Sequence, residues 1–167
     1  MNKIPWIVFA VALLFAIFYI STTVSSLPPM VASHFHGAGF PTAHVTRAFY
    51  TKFVFGIGVG FPIAMVALLS LVYSKASDMK LPNRDYWLAP ERIAQTRALL
   101  VSHGVWFGCL LVAMVCFMHW LVLAAHREVP PHLSNQRVMG GLLVFMAIAL
   151  GWVIALLRAF RLPRRPS

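Results

Sequence analysis

Four long runs of apolar residues, each without a single charged side chain, constrain this sequence more than any other feature. A helix needs about 20 apolar residues to span the hydrocarbon core of a bilayer, and each run is long enough. None shows the polar face that a surface helix of a soluble protein carries. The runs therefore predict an all-α, polytopic membrane protein with four transmembrane helices, over about residues 4–24, 53–74, 99–123 and 138–157.

The composition agrees with this assignment. Hydrophobic residues make up 60% of the 167-residue chain and charged residues only 11%, against about 25% charged in soluble domains. We expect a single membrane domain over residues 1–167. Its connections are two outer loops, 25–52 and 124–137, and one inner loop, 75–98.

The basic residues indicate the orientation of the helices, because Lys and Arg accumulate on the cytoplasmic side. With both termini inside, ten basic residues lie inside and four outside: Lys3, Lys75, Lys80, Arg84, Arg92, Arg97, Arg158, Arg161, Arg164 and Arg165 against Arg47, Lys52, Arg127 and Arg137. This favours a multi-pass protein of the bacterial inner membrane with both termini cytoplasmic. The alternative of a cleaved signal peptide is disfavoured, because the first run exceeds the usual h-region of about 7–15 residues.

The same distribution bears on partners. The basic residues lie at the ends of apolar runs and form no block or stripe, so nucleic acid is not an expected partner. The lipid bilayer is the expected environment, and a protein or peptide partner is a further possibility. The sequence does not indicate an oligomeric state.

Histidines concentrate on the predicted outer face, where six of the seven lie. Imidazole nitrogens bind zinc and copper and serve as axial haem ligands, so these residues form a candidate metal or haem site. The candidate ligands are His34, His36, His44, His119 and His126. The competing interpretation is that histidine simply suits a membrane interface, and a pH-sensing role needs no more than clustered histidines. The expectation is therefore no resident cofactor, with metal or haem as the alternative.

The outer loop after the first run carries the clearest motif. In HFHGAGFP, residues 34–41, an extended segment leads into a glycine turn, which predicts a short hairpin-like cap over the helices. The pattern of Leu-Pro, His-Phe and Gly-x-Pro resembles the uncharacterised membrane domain, a DUF family, at the N-terminus of SdpI-type immunity proteins. The resemblance implies a role in immunity or sensing. The candidate binding residues of this loop are His34, Phe35, His36, Gly39, Pro41 and His44.

The inner loop contains LPNRDYWLAPER, residues 81–92, which resembles an element that recurs in bacterial relatives with the same outer loop. Three interpretations are open: a docking surface, a lock between the loop and the helix ends, and anchoring of aromatic and basic groups in lipid headgroups. The candidate partner-binding residues are Asn83, Arg84, Asp85, Tyr86 and Trp87. Pro90 suits a helix start, so an amphipathic turn or two is predicted from Ala89 onward, lying on the inner surface and running into the third span.

The spans themselves contain few chemical groups. Gly56 and Gly60 form a G-x-x-x-G pattern, which predicts close approach of another helix, either within the bundle or in a homodimer. No Asp, Glu, Lys or Arg lies deep in a span, whereas pumps and transporters normally carry such a group. We therefore expect a binding or interaction protein and not an enzyme. The alternative is a metal- or haem-binding or accessory subunit of a membrane redox complex.

Overall fold

The computed structural model describes residues 3–75 and 82–161 and is mostly helical. Its elements in chain order are α1 Ile4–Thr23, β1 Met30–Phe35, β2 Pro41–Thr46, α2 Arg47–Phe55, α3 Phe61–Ser74, α4 Arg84–Trp87, α5 Ile93–Ala125 and α6 Asn135–Ala159. A 3-10 turn, Val24–Ser26, prolongs α1. A π-helical turn, Gly56–Gly60, joins α2 to α3 in one continuous helix.

Four helical stretches are long and apolar enough to cross a membrane: Ile4–Ser26, Arg47–Ser74, Ile93–Ala125 and Asn135–Ala159. Their outer surfaces display large apolar side chains, with Leu14 66% and Phe18 67% exposed. A continuous apolar surface of this kind is unfavourable in water and favourable against lipid. The prediction of a multi-pass membrane protein is confirmed. The all-α prediction holds broadly, with a two-stranded antiparallel sheet added between α1 and α2.

The helices extend beyond the charge-free runs because polar side chains cap their first turns. The hydroxyl of Thr46 accepts a hydrogen bond from the Phe49 amide at 3.2 Å, so α2 begins at Arg47. The hydroxyl of Ser134 accepts from the Arg137 amide at 3.4 Å at the start of α6. Such caps satisfy amides that have no partner within the helix. The second and fourth helices therefore start earlier than predicted.

The segment from Ala89 forms turns that lead into α5, but the helix begins at Ile93 and not near Pro90. Residues 88–92 form turns, and the amides of Arg92 and of Ile93, the first residue of α5, both bond to the Ala89 carbonyl. Residues 76–81 of the predicted inner loop lie outside the described residues.

Helix α5 is the centre of the bundle and packs against α1, α3 and α6. The middle of the bundle is filled by Phe9, Ala16, Val66, Val105 and Val112. We call the end that carries the sheet the hairpin end, and the end that carries α4 the α4 end. Each has its own apolar cluster. Helix α6 packs mainly on α5 and buries none of its residues.

Glycines set how closely the helices approach, but not at the predicted pair. A Cβ on Gly58 would lie 3.1 Å from Val115, so this glycine packs within the bundle. A Cβ on Gly56 or Gly60 would meet no described atom within 4 Å. The expectation of close bundle packing through these two was wrong, and their use in a homodimer stays a prediction. Close approaches between helices lie at Gly141, where a Cβ would overlap the Phe117 ring, and at Gly108, where a Cβ would lie 2.5 Å from Val66 and 2.9 Å from Phe9.

We expect Gly108→Ala to destabilise the bundle. The added methyl must displace Val66 and Phe9, and overpacking costs about 1–3 kcal/mol, more than the gain of about 1 kcal/mol in helix propensity. Thermal unfolding in detergent measures the difference. Gly151→Ala is the control, because its Cβ meets no described atom within 4 Å, and it should be neutral or stabilising. Equal midpoints for the two variants would contradict the packing assigned to Gly108.

Candidate functional site

The sheet at the hairpin end is a hairpin folded back on the bundle. Val31 and Ala32 of β1 are fully buried beneath it. Its turn is closed by the His36 amide on the Phe40 carbonyl at 3.0 Å and by the Gly39 amide on the His36 carbonyl at 2.8 Å. Gly39 has φ +84°, a conformation that favours glycine. The predicted hairpin turn is confirmed.

The α5–α6 connection holds the tip of this hairpin through three consecutive carbonyls. The Asn135 side-chain amide donates to the Gly37 carbonyl at 2.5 Å, and His132 Nε2 donates to the Ala38 carbonyl at 3.1 Å. The Leu133 amide donates to the Gly39 carbonyl at 2.8 Å. The hairpin and the second loop therefore form one unit, which we call the cap (residues 27–47 and 126–135).

The base of the cap depends on Arg47, the first residue of α2. Its guanidinium donates to the carbonyls of Ser25 at 3.0 Å and Leu27 at 2.8 Å, where α1 ends. Its backbone amide donates to the Pro29 carbonyl at 2.8 Å. One side chain thus satisfies carbonyls that a helix end leaves without partners. It also joins the first two spans at their ends.

The predicted loop residues lie together in the cap. Phe35 and Pro41 face each other in the register and are half-buried, and Gly39 is buried at the turn. His34, His36 and His44 are exposed. Two of these imidazoles have local partners: His34 Nδ1 lies 3.2 Å from the Ser33 hydroxyl, and His36 Nδ1 accepts from the Ala38 amide at 3.0 Å.

The ladder of the hairpin shows which backbone groups face outward. The Arg47 amide bonds to the Pro29 carbonyl across the base of the hairpin. Hydrogen-bonded and non-hydrogen-bonded pairs alternate along an antiparallel ladder, so the next hydrogen-bonded pair is Val31 with Val45. Ala32 and His44 form a non-hydrogen-bonded pair, and their amides and carbonyls point away from each other. The Ala32 amide accordingly donates to His126 Nε2 at 3.1 Å. The edge of β1 is therefore occupied at Ala32. Along the edge of β2, no backbone bond joins His44 to any residue outside the hairpin within the described part of the chain.

Below the cap, His119 of α5 is 1% exposed and lies in a chain of hydrogen bonds. The Thr23 hydroxyl has one proton, which it donates to the Tyr19 carbonyl at 2.6 Å, so it accepts from His119 Nε2–H at 2.8 Å. His119 Nδ1 then accepts from the Tyr50 hydroxyl at 2.8 Å. The Tyr19 ring also packs edge-on against the imidazole. This order assigns a neutral imidazole that links α1, α2 and α5.

His126, two turns beyond His119 and directly after the last residue of α5, has the opposite tautomer. Its Nδ1–H donates to the Val122 carbonyl at 2.8 Å, and its Nε2 accepts the Ala32 amide. Both nitrogens of His119 and of His126 are therefore used in hydrogen bonds. Within residues 3–75 and 82–161, no three His, Cys, Asp or Glu side chains come together as metal ligands. The structure thus does not assemble the predicted ligand set His34, His36, His44, His119 and His126.

The second predicted site lies at the α4 end, far from the cap. The side-chain amide of Asn83 and the indole of Trp87 both donate to the Phe160 carbonyl at 3.0 Å, at the end of α6. The Arg92 guanidinium lies 3.8 Å from the centre of the Tyr86 ring. Arg84 and Asp85 are exposed and border a shallow depression. These contacts support the lock interpretation for the loop, and a docking role for the exposed pair stays a prediction.

The sequence reasoning missed the cluster around His119. The hydroxyls of Thr22, Thr23 and Ser26 all donate to backbone carbonyls three or four residues earlier, which is the usual role of such groups near a helix end. The bond of Thr23 to His119 joins residues 96 apart in the chain, and that of Tyr50 to His119 joins residues 69 apart. The available signal was a tyrosine, a threonine and a histidine in three different spans at one membrane face.

Comparisons of the chain with protein-family models, with curated proteins and with solved structures gave no match. The resemblance to the N-terminal domain of SdpI-type immunity proteins therefore stays a prediction.

We expect Tyr50→Phe to lower stability by about 1 kcal/mol, because it leaves His119 Nδ1 buried without a donor. The same substitution in a His119→Leu background should cost less, since no acceptor is then left unpaired. Thermal unfolding of the four proteins in detergent measures the coupling. Tyr73→Phe, in a half-buried tyrosine at the α4 end, is the control. Additive effects of the two substitutions would contradict the assigned network.

Proposed function

We propose that this chain is a bacterial integral membrane interaction protein that binds an extended segment of a partner protein along the free edge of β2. The observation that carries the proposal is the asymmetry of the hairpin. Its β1 edge and its tip are bound to the chain's own residues, while the β2 edge is exposed.

The cap is organised before any partner arrives. Donors from residues 132–135 bind its tip, Arg47 binds its base and His126 binds its β1 edge. A rigid surface loses little conformational entropy on binding, which favours affinity. The hydrogen-bonding groups that hold the cap are directed at the protein's own backbone, so we assign the site to binding and not to catalysis.

The chemistry of the β2 edge suits an extended peptide. An exposed edge strand presents a row of amides and carbonyls that another strand can pair with, and side chains on its surface then add specificity. The exposed side chains of β2 are Thr42, His44 and Thr46. Within the described residues, no hydrogen bond or ring contact engages the imidazole of His44, so it is available to a partner.

The distribution of basic residues supports the proposed placement in the cell. Ten lie toward the proposed cytoplasmic side and four toward the other, which favours a cap outside the bacterial inner membrane and both termini inside. The resemblance of the loop to SdpI-type immunity proteins supports immunity or sensing as the purpose of binding. A metal- or haem-binding subunit of a redox complex remains the alternative prediction, with no ligand cluster among the described residues to favour it.

A photo-crosslinking amino acid at Thr42, introduced in living bacteria, tests the edge. We expect the probe at Thr42 to form a cross-link to a discrete partner. The control is the same probe at Val129, which is 98% exposed on the second loop and should capture no such partner. His44→Pro should then reduce the cross-link by about tenfold, because proline removes an edge amide. His44→Ala keeps the backbone amide and removes the imidazole, so it measures the contribution of the side chain alone.

Two results would count against edge pairing. One is a cross-link at Thr42 no stronger than that at Val129, and the other is a cross-link that survives His44→Pro. Val45→Pro provides a folding control, since it removes a donor of the hairpin ladder itself and should disrupt the cap.

The orientation is tested separately with single cysteines in a background in which Cys109 and Cys116 are replaced by alanine. A membrane-impermeant maleimide should label Ala38→Cys, at the exposed hairpin tip, in intact spheroplasts. It should label Glu91→Cys, exposed at the α4 end, only after permeabilisation. The reverse order of labelling would place the cap in the cytoplasm and overturn the proposed location.

A further inference from the structure

An apolar groove runs between α5 and α6, in the half of the bundle nearer the hairpin end. It has a volume of about 320 Å³ and, at 1.5 Å of rise per residue, a length of about 10 Å. Gly140 and Gly141 line its α6 side: a Cβ on Gly140 would meet no described atom within 4 Å, whereas a Cβ on Gly141 would overlap the Phe117 ring. Facing them across the groove are Leu110, Met114 and Phe117 of α5.

An arginine side chain lies at the end of this groove nearer the hairpin end. Arg137 precedes Gly140 and Gly141 by three and four residues, so it lies on the same face of α6, one turn nearer the hairpin end. Its guanidinium leans toward α5 and lies 5.8 Å from the centre of the Trp120 ring. Within residues 3–75 and 82–161, no carboxylate forms an ion pair with Arg137, and Glu128 of the neighbouring loop pairs instead with His132 at 3.5 Å.

We propose that this groove binds one acyl chain of an anionic phospholipid whose phosphate pairs with Arg137. The ligand must be apolar along about 10 Å and negative at one end, which matches the two halves of the site. Arginine pairs with phosphate through a fork of N–H donors. Trp120 beside it is an amphipathic ring of the kind that lies at headgroup level.

The small size of the groove selects this occupant over a second helix. The groove is about 10 Å long, the rise of about seven helical residues, so a second spanning helix would extend well beyond it. A single acyl chain requires only a narrow slot between two helices. The charge at the mouth also has a counterpart in a lipid headgroup. The inference is independent of the β2 edge and of which leaflet faces the hairpin end.

Native mass spectrometry of the protein released from nanodiscs tests the proposal. The nanodiscs contain equal amounts of phosphatidylglycerol and phosphatidylcholine with the same acyl chains. We expect phosphatidylglycerol to be retained preferentially. Arg137→Gln should reduce that retention by about tenfold, the change expected for the loss of one charge-assisted contact, and Arg137→Lys should restore part of it.

The groove has its own matched pair of variants. Gly140→Leu fills the slot without meeting a described atom at its Cβ and should reduce retention of both lipids, with Gly140→Ala intermediate. Two control variants should leave lipid retention unchanged. One is Gly151→Leu, on the same helix and with equally open space at its Cβ, and the other is Arg127→Gln, at an exposed arginine of the cap.

Three results would overturn the proposal. Equal losses from Arg127→Gln and Arg137→Gln would show a general effect of surface charge. Equal losses from Gly151→Leu and Gly140→Leu would show that the groove is not the binding site. A dimer that Gly140→Leu abolishes, without any selective lipid adduct, would assign the groove to a second copy of the chain.

Discussion

Hydrocarbon supplies no partner for a hydrogen-bonding group, and the hairpin end of this bundle is organised around that requirement. The imidazole of His119 uses both nitrogens to join a tyrosine of α2 to a threonine of α1. The guanidinium of Arg47 does the same for carbonyls at the end of α1. Because each polar group is paired across helices, the bonds that remove the desolvation penalty also fix how the first three spans meet.

At both ends of the bundle, hydrogen-bond donors converge on backbone carbonyls of a segment that is distant in sequence. At the hairpin end, donors of the second loop bind three successive carbonyls of a turn. At the α4 end, Asn83 and Trp87 converge on the carbonyl of Phe160, where α6 ends. Both arrangements tie a connection to a helix that is distant in sequence. This matters most for α6, which buries no residue and is held chiefly by α5 and by these terminal contacts.

Patterns that depend on local sequence predicted the fold well. A charge-free run of about 20 residues is a local property, and all four runs are helices. Helix ends were less predictable, because capping by Thr46 and Ser134 carries the helices past charged residues that the runs excluded. The turn around Gly39 followed from residue type alone. The roles of the histidines did not, because His126 meets the hairpin only after α5 and β1 are brought together from positions 94 residues apart.

The π-helical turn between α2 and α3 has an effect on the whole second span. Every fourth residue of this span is buried: Tyr50, Val54, Gly58, Pro62 and Val66. In a straight α-helix, four residues overshoot one turn by about 40°, so the last of these five would point about 160° away from the first. The wider turn, with its i→i+5 bond, rotates less per residue and offsets part of that drift. The π-helical turn thereby keeps these buried residues nearer to one side of the span. That side contacts the polar cluster around His119 at one end and the apolar middle of the bundle at the other.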